Sequence, residues 1–324
     1  MIKWIKNFQR ISITIAALLI PVLVSAQDIW PSRSVRVVVS FGVGGATDNL
    51  VRAFAKELSD ALGQSFVVDN RGGAAGSLGT DIAAKAKADG YTLLFGPANP
   101  LTIVPHLRKT PYAIDDLIPV ARLGTYIAGL VVRNSLPVQN MQEFIALAKS
   151  KPGQITFGSS GNGSMAHIRI EALKQAASVD VLHVPYSGGP AEMQDILGER
   201  LDAMTENIIF PQVKSGRMRM LAILGDQRHP DFPNIPTAKE VGYPEINTPG
   251  TFAVFAPKGT PQAIILKINS QVIRIAQTQS MRDRMMGIGF SMGNDTPQEI
   301  KTAVNEEYEI YGKIIRAANI KDEN

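Results

Sequence analysis

The residues best placed to do chemistry are Ser40-Phe41-Gly42-Val43-Gly44-Gly45-Ala46-Thr47-Asp48. An apolar run, Val35 to Val39, precedes them and predicts a buried strand. Leu50, Val51, Phe54, Leu58 and Leu62 follow at helical spacing as far as Gly63. A glycine-rich turn between strand and helix exposes main-chain N–H groups at the positive end of the helix dipole, which is an anion-binding geometry. The chain repeats the device. Ile155-Thr156-Phe157 runs into Gly158-Ser159-Ser160-Gly161-Asn162-Gly163-Ser164, and Met165, Ile168, Ala172, Leu173 and Ala176 continue at helical spacing. Two such turns, one in each half, predict one anion gripped from both sides.

Within the first turn, Gly44 and Gly45 either make the tight bend or bring amides to a ligand. Thr47 is placed to cap the following helix or to donate its hydroxyl to the ligand. Asp48 suits the first turn of a helix, where the dipole favours an acid by ~0.3–1 kcal/mol. Beside a bound anion its carboxylate has to turn away, orient a bridging water or pair with a ligand ammonium. In the second turn Ser164 is the expected N-cap, while Ser159 and Ser160, with the amides around Gly161 and Gly163, are the expected ligand donors. Several charge-assisted hydrogen bonds of ~1.5–3 kcal/mol each supply micromolar affinity, about 8 kcal/mol net, without an arginine.

His167 lies one turn into the second helix. It reads as structural, since no cysteine or second close histidine supports a metal or catalytic role. Tyr186 opens another turn and either lines the cleft or packs beside its loop; Phe41 and Met165 pack near the glycine-rich turns. Arg71, Arg122 and Arg133 are candidate ligand cations, with a surface or salt-bridged role expected of each.

Other chemistries find little support. The chain has no cysteine, which removes thiolate nucleophiles, thiolate metal sites and disulfides. No metal-ligand cluster is apparent. A serine hydrolase elbow needs Gly-x-Ser-x-Gly, and Gly158-Ser159-Ser160-Gly161-Asn162 lacks the final glycine. None of His106, His167, His183 and His229 sits in a Ser/Asp pattern. A dinucleotide fingerprint needs a glycine where Thr47 stands, and no phosphate-loop Gly-Lys-Ser/Thr occurs. A secreted serine hydrolase is thus the weaker alternative to a binding protein.

The elements that position these turns alternate strand and helix. Strands are expected at 35–40, 66–69, 92–95, 120–123, 129–133, 155–158, 181–184, 220–224 and 252–256. Helices are expected at 49–62, 76–86, 141–150, 165–177, 191–197, 261–277 and 297–317. This order predicts parallel sheets covered on both faces, with ligands outside the carboxyl ends of the strands. The charged run Glu299, Lys301, Glu306, Glu307, Lys313, Arg316 reads as a solvated helix face.

The first 26 residues stand apart. Lys3, Lys6 and Arg10 precede the short apolar run Ile11–Val24, and Val24-Ser25-Ala26 offers a cleavage site. This is the pattern of a secretory signal peptide, too short for a spanning helix of ~20 apolar residues. Its removal takes three of the 33 basic residues and none of the 29 acidic ones, so the net charge falls from +4 to +1. No long basic block is left to bind nucleic acid. The remaining roughly 300 residues exceed the usual single core and favour two domains. Apolar pieces at 123–133 and 248–257 suggest two crossings, hence a discontinuous lobe of 27–128 and 252–324 with a second lobe, 129–251, inserted.

Further pieces fall into a familiar order: Ile29-Trp30-Pro31 to Phe41, Gly44-Gly45-Ala46-Thr47-Asp48, Asp69-Asn70-Arg71-Gly72-Gly73-Ala74-Ala75-Gly76, and Asp89-Gly90-Tyr91-Thr92-Leu93-Leu94. They continue with Gly158–Ser164 and His167, His183-Val184-Pro185-Tyr186, Ile235-Pro236-Thr237 and Ala256-Pro257-Lys258-Gly259-Thr260-Pro261. Over nearly the whole length after residue 26, the chain resembles the Bug family, periplasmic substrate-binding receptors of tripartite tricarboxylate transporters. The resemblance implies an α/β fold of the type II periplasmic-binding-protein (Venus flytrap) class, two lobes around a cleft with hinge crossings. It implies a small carboxylate ligand held by backbone amides, hydroxyls and ordered waters, with no cofactor and no metal. It implies a monomer in the periplasm that delivers its ligand to a permease of one large and one small subunit; some relatives act in sensing instead, so a sensory protein is a further alternative. Three stretches depart from the family pattern. Gly42 stands where proline is usual. Pro97-Ala98-Asn99 replaces a Thr/Ser-rich stretch, bringing Ala98 and Asn99 to the expected site. Met204-Thr205-Glu206-Asn207 stands where Phe-Asp-Asn is usual, so Thr205 leaves room for a bulkier ligand beside Asn207.

Overall fold

A computed structural model describes residues 30–248 and 250–321; the expected signal peptide and its cleavage site lie outside these residues. Eleven strands among them form two sheets. The first has the order β11-β4-β10-β3-β1-β2 and contains β1 (Val35–Val39), β2 (Phe66–Asn70), β3 (Thr92–Pro97), β4 (Leu117–Tyr126), β10 (Thr251–Pro257) and β11 (Phe290–Ser291). The second has the order β7-β6-β8-β5-β9 and contains β5 (Ala128–Arg133), β6 (Thr156–Ser159), β7 (Leu182–Pro185), β8 (Ala203–Glu206) and β9 (Met218–Leu224). The chain crosses from one sheet to the other between Tyr126 and Ala128, and returns between Leu224 and Thr251.

The sheets are mixed rather than parallel, a correction to the sequence expectation. β1 pairs in parallel with β2 and β3, but β10 runs antiparallel to β3 and β4. β6 is parallel to β7 and β8, whereas β5 is antiparallel to β8 and β9. β5 and β10 are the strands that follow the crossings; each enters its sheet from the side of the other sheet instead of climbing from a βα unit, and the edge strand β11 also runs antiparallel to β4. β8 carries no clear strand signal in the sequence, because Ala203-Met204-Thr205-Glu206 is short and lacks a β-branched run.

Period-two alternation fills both faces of the first sheet. Val35, Val37 and Val39 pack with Leu50, Phe54 and Leu58 of α1 (Ala46–Leu62), while Val38 joins Leu94 and Phe255 on the other side. Each buried Val or Leu contributes about 1.5–3 kcal/mol relative to exposure. α1 ends where Gly63 takes φ 69° and returns its N–H to the Ser59 carbonyl. The second sheet is covered by α2 (Met165–Ala177), whose Ile168 and Leu173 meet Phe157 in a separate core.

The last helix, α3 (Pro297–Ala318), belongs to both halves. Ile300 and Val304 pack with Val38 and Phe255, whereas Tyr311, Ile314 and Ile315 pack in the core of the second sheet. The expectation that 252–324 serves one lobe therefore does not describe the end of this helix. Its charged face also contains an exception: Glu307 is buried and accepts the Thr251 N–H at 3.0 Å, at the return crossing.

Candidate functional site

A cavity of about 390 Å³ opens between the two glycine-rich turns. Phe41, Thr47 and Asn99 line it from one side, and Ser160, Gly163 and Ser164 from the other. Tyr126 and Phe252, beside the crossings, stand in the same cavity, as do Asn162, Met165 and Glu206. No lysine, arginine or histidine is among its lining residues.

The first turn is held from beneath. Gly44 has φ 84°, a left-handed conformation that glycine adopts without a side-chain penalty. Its N–H is committed to Asp48 Oδ2 at 2.9 Å, so this amide serves the turn. The same oxygen accepts from Arg52 Nε at 2.9 Å, and Oδ1 accepts from Asn70 at 3.0 Å. Asp48 is buried and does not line the cavity, so of its three options it takes the first and turns away. Burial works to raise its pKa, but the donors Arg52, Gly44 and Asn70 outweigh that and hold it below its ordinary value. Thr47 lies inside α1 rather than at its cap: the capping position is Gly45, which has no side chain to offer. Gly45 itself does not line the cavity. The consequence is that no side chain caps the first amides of α1.

The second turn is built differently. Ser164 caps α2, its Oγ accepting the His167 N–H at 3.2 Å, as the sequence led one to expect. Ser160 lines the cavity, but Ser159 does not. Ser159 has no exposed surface, and its Oγ lies 2.6 Å from His183 Nε2 while also accepting the Gly161 N–H. Strand alternation explains the split: successive residues of a strand end face opposite ways, so only one of two adjacent serines can reach the cleft. Gly161 (φ 122°) lies outside the cavity lining, and Gly163 (φ 70°) inside it.

His167 supports this turn from behind. Its Nδ1 accepts the Gly163 N–H at 3.1 Å, and its ring stacks on His183 with centroids 3.8 Å apart. Burial, then the charges of His183 and Lys174, hold its pKa down to about 3, so the ring is a neutral acceptor. The other expected site residues are elsewhere. Tyr186 donates its hydroxyl to Asp195 Oδ2 at 2.9 Å; Ala98 is sealed in the first core with Leu94; Thr205 is buried in β8. Asn207 is buried and donates to the Ile288 carbonyl at 3.0 Å. None of these four lines the cavity. The candidate arginines are in ion pairs: Arg71 with Asp69, Arg122 with Asp295 and Arg133 with Asp202.

Three residues were not singled out from sequence. Tyr126 closes β4 and reaches across to the second sheet. Its hydroxyl donates to Glu206 Oε2 at 2.6 Å and accepts the Asn207 N–H at 3.1 Å. Burial, then the Glu206 charge, push its pKa well up against the opposing effect of Arg169, so the phenol keeps its proton. Glu206 ends β8 and lines the cavity while 9% exposed. Arg169, on α2, is 1% exposed; it donates to the Thr248 hydroxyl at 3.0 Å and sits 5.2 Å from the centre of the Tyr126 ring. Its Nη1 has no hydrogen-bond partner among the described residues. A buried cation one layer behind the cleft adds to the positive potential of the helix starts. The available signal was position: an arginine five residues past a capping serine, on a helix that faces a cleft.

Among the described residues no group of His, Cys, Asp and Glu could hold a metal ion, and no helix is long and apolar enough to cross a membrane.

Comparison with known proteins agrees with this architecture. Residues 50–320 match the tripartite tricarboxylate transporter family receptor. BugT of Bordetella pertussis is 35% identical over 316 residues, covering 96% of this chain and 97% of that protein. Among solved structures, an R. palustris protein with adipate superimposes with a TM-score of 0.79 at 33% identity, covering 90% of this chain and 99% of that one. MatC from Rhodopseudomonas palustris with bound malate gives 0.76 at 29% identity, covering 88% and 100%. The two-lobed α/β fold is thus that of periplasmic binding proteins, and the chain belongs to the receptor family of tripartite tricarboxylate transporters.

Proposed function

We propose that the protein is an exported, periplasmic receptor that captures a small carboxylate in the cleft between its lobes and delivers it to a two-subunit membrane permease, without chemical turnover. One observation carries the reading: the starts of α1 and α2 meet across a single cavity with no cationic side chain in its lining. Helix starts present amide donors and partial positive charge, which suits a carboxylate and permits release. Relatives solved with adipate and malate support the ligand class.

The first amides of α1, the Ser160 and Thr47 hydroxyls and the Asn99 and Asn162 side chains are the donors we assign to the ligand, together with amides at the start of α2. Three connections tie the lobes: the step from β4 to β5, the return to β10, and α3. Rotation about them closes the cleft over the ligand. A hydrolase is disfavoured because Ser159, the serine in contact with a histidine, has no exposed surface for a substrate to reach.

Calorimetric screening of a small-acid library tests the reading. Saturable binding of a carboxylate, with compaction seen by small-angle scattering, is expected. Binding of no carboxylate, or turnover of an ester that depends on Ser159 or Ser160, would overturn it.

A further inference from the structure

The cleft proposed to hold an anion contains one charged side chain, and that side chain is an acid. Glu206 lines the cavity at the end of β8. Tyr126 satisfies Oε2, while Oε1 has no hydrogen-bond donor among the described residues. Among the described residues no lysine, arginine or histidine forms an ion pair with Glu206. Its neighbour is a second carboxyl group, Glu192, which is fully buried with neither oxygen hydrogen-bonded among the described residues. Burial and the charge of Glu206 push the Glu192 pKa well above the usual carboxylate range, so Glu192 keeps its proton, and of the two carboxyl groups it is Glu206 that faces the cleft. Arg169, the buried cation nearby, donates to Thr248 and lies over the face of the Tyr126 ring, and no ion pair joins it to Glu206 among the described residues.

A ligand with carboxylates at both ends would bring one of them toward Glu206, itself only 9% exposed, where like charges repel. A plain monocarboxylate would leave Oε1 desolvated and unpaired. Resting on the carboxylate reading above, we propose that Glu206 makes this receptor select a zwitterion, a ligand whose carboxylate lies on the two helix starts and whose other end places an ammonium group on Glu206. The partial positive charges of the helix starts and the single negative charge of Glu206 then each meet their complement. The cavity volume of about 390 Å³ accommodates a small amino acid of this kind.

The test uses matched chains. Titrate the whole receptor by calorimetry with ε-aminocaproate, caproate and adipate, and again with γ-aminobutyrate, butyrate and succinate. In at least one set the amino acid binds about tenfold or more tighter than the diacid and the plain acid of equal length. In Glu206→Gln, with its melting temperature recorded beside the wild type, that preference collapses or reverses toward the diacid. Tighter binding of a diacid by the wild type overturns the inference while leaving the carboxylate reading intact, and so does a preference that Glu206→Gln leaves unchanged. Binding of no acid in either set overturns both.

Discussion

Tyr126 Oη and Glu206 Oε2, 2.6 Å apart, join the end of a strand in one sheet to the end of a strand in the other. Tyr126 stacks on Phe252 of the return crossing, with ring planes 9° apart, and meets Phe290 edge-on. The chain crossings and the cleft wall are therefore one contact network. Tyr126→Phe removes the donor to Glu206 and the acceptor of the Asn207 N–H. Loss of such partly buried partners costs about 1–3 kcal/mol. Chemical denaturation should register that loss; a variant as stable as the wild type would show the bond to be unimportant to the fold.

The adjacent serines should separate by experiment. Ser160→Ala removes a hydroxyl that lines the cleft, so it weakens ligand affinity with a melting temperature near that of the wild type. Ser159→Ala removes the partner of His183 and of the Gly161 N–H, so it lowers stability by about 1–3 kcal/mol. Equal effects of the two variants on both measurements would refute the division.

His167 is neutral in the folded protein because its pKa is held down to about 3, against 6.5 for the free side chain. Between these values the unfolded chain binds a proton that the fold excludes, so stability rises with pH up to about 6.5 and is lost on acidification toward 3. The linked contribution is on the order of a few kcal/mol. In His167→Asn an oxygen takes the place of Nδ1 as acceptor from Gly163, and the acid limb of the stability profile should flatten. Parallel profiles would contradict the assignment.

Glu307 has the opposite sign. Burial, only partly offset by the Thr251 hydrogen bonds, pushes its pKa up to about 7 from 4.5. In that window the fold binds a proton that the unfolded chain has released, so stability falls as pH rises from 4.5 through about 7. Glu307→Gln keeps the acceptor for the Thr251 N–H and removes the titration. Its melting temperature should change less than that of the wild type between pH values below and above this window; an identical slope would argue against it.

Much of this was legible in the sequence, for identifiable reasons. The Val35–Val39 run and the spacing of Leu50, Phe54 and Leu58 report a buried strand and an amphipathic helix, because their packing is periodic. Glycines with positive φ, such as Gly44 and Gly163, announce the two turns. The roles of single polar residues were harder to read. Asp48 and Ser159 lie in the right turns, yet their partners, Asn70 and His183, are 22 and 24 residues away. Tyr126 and Glu206 meet only because the crossings bring the two sheets together, and nothing local marks them. Glu307 sits in a charged run that looks solvated until α3 is laid against both cores.

Gly163 offers a local test of cleft geometry. Its left-handed backbone strains any side chain, and a Cβ there would collide with the end of Leu107. Gly163→Ala is expected to cost about 1 kcal/mol or more in stability and to weaken binding by displacing the second turn. Full affinity in this variant would mean that the ligand does not depend on that turn.

The most direct measurement is a crystal structure of the receptor with a carboxylate found by the calorimetric screen. Carboxylate oxygens are expected within hydrogen-bond distance of main-chain N–H groups at the starts of both α1 and α2, with no arginine or lysine touching the ligand. A ligand seated outside this cleft, or one whose carboxylate is held by a cationic side chain, would contradict this expectation.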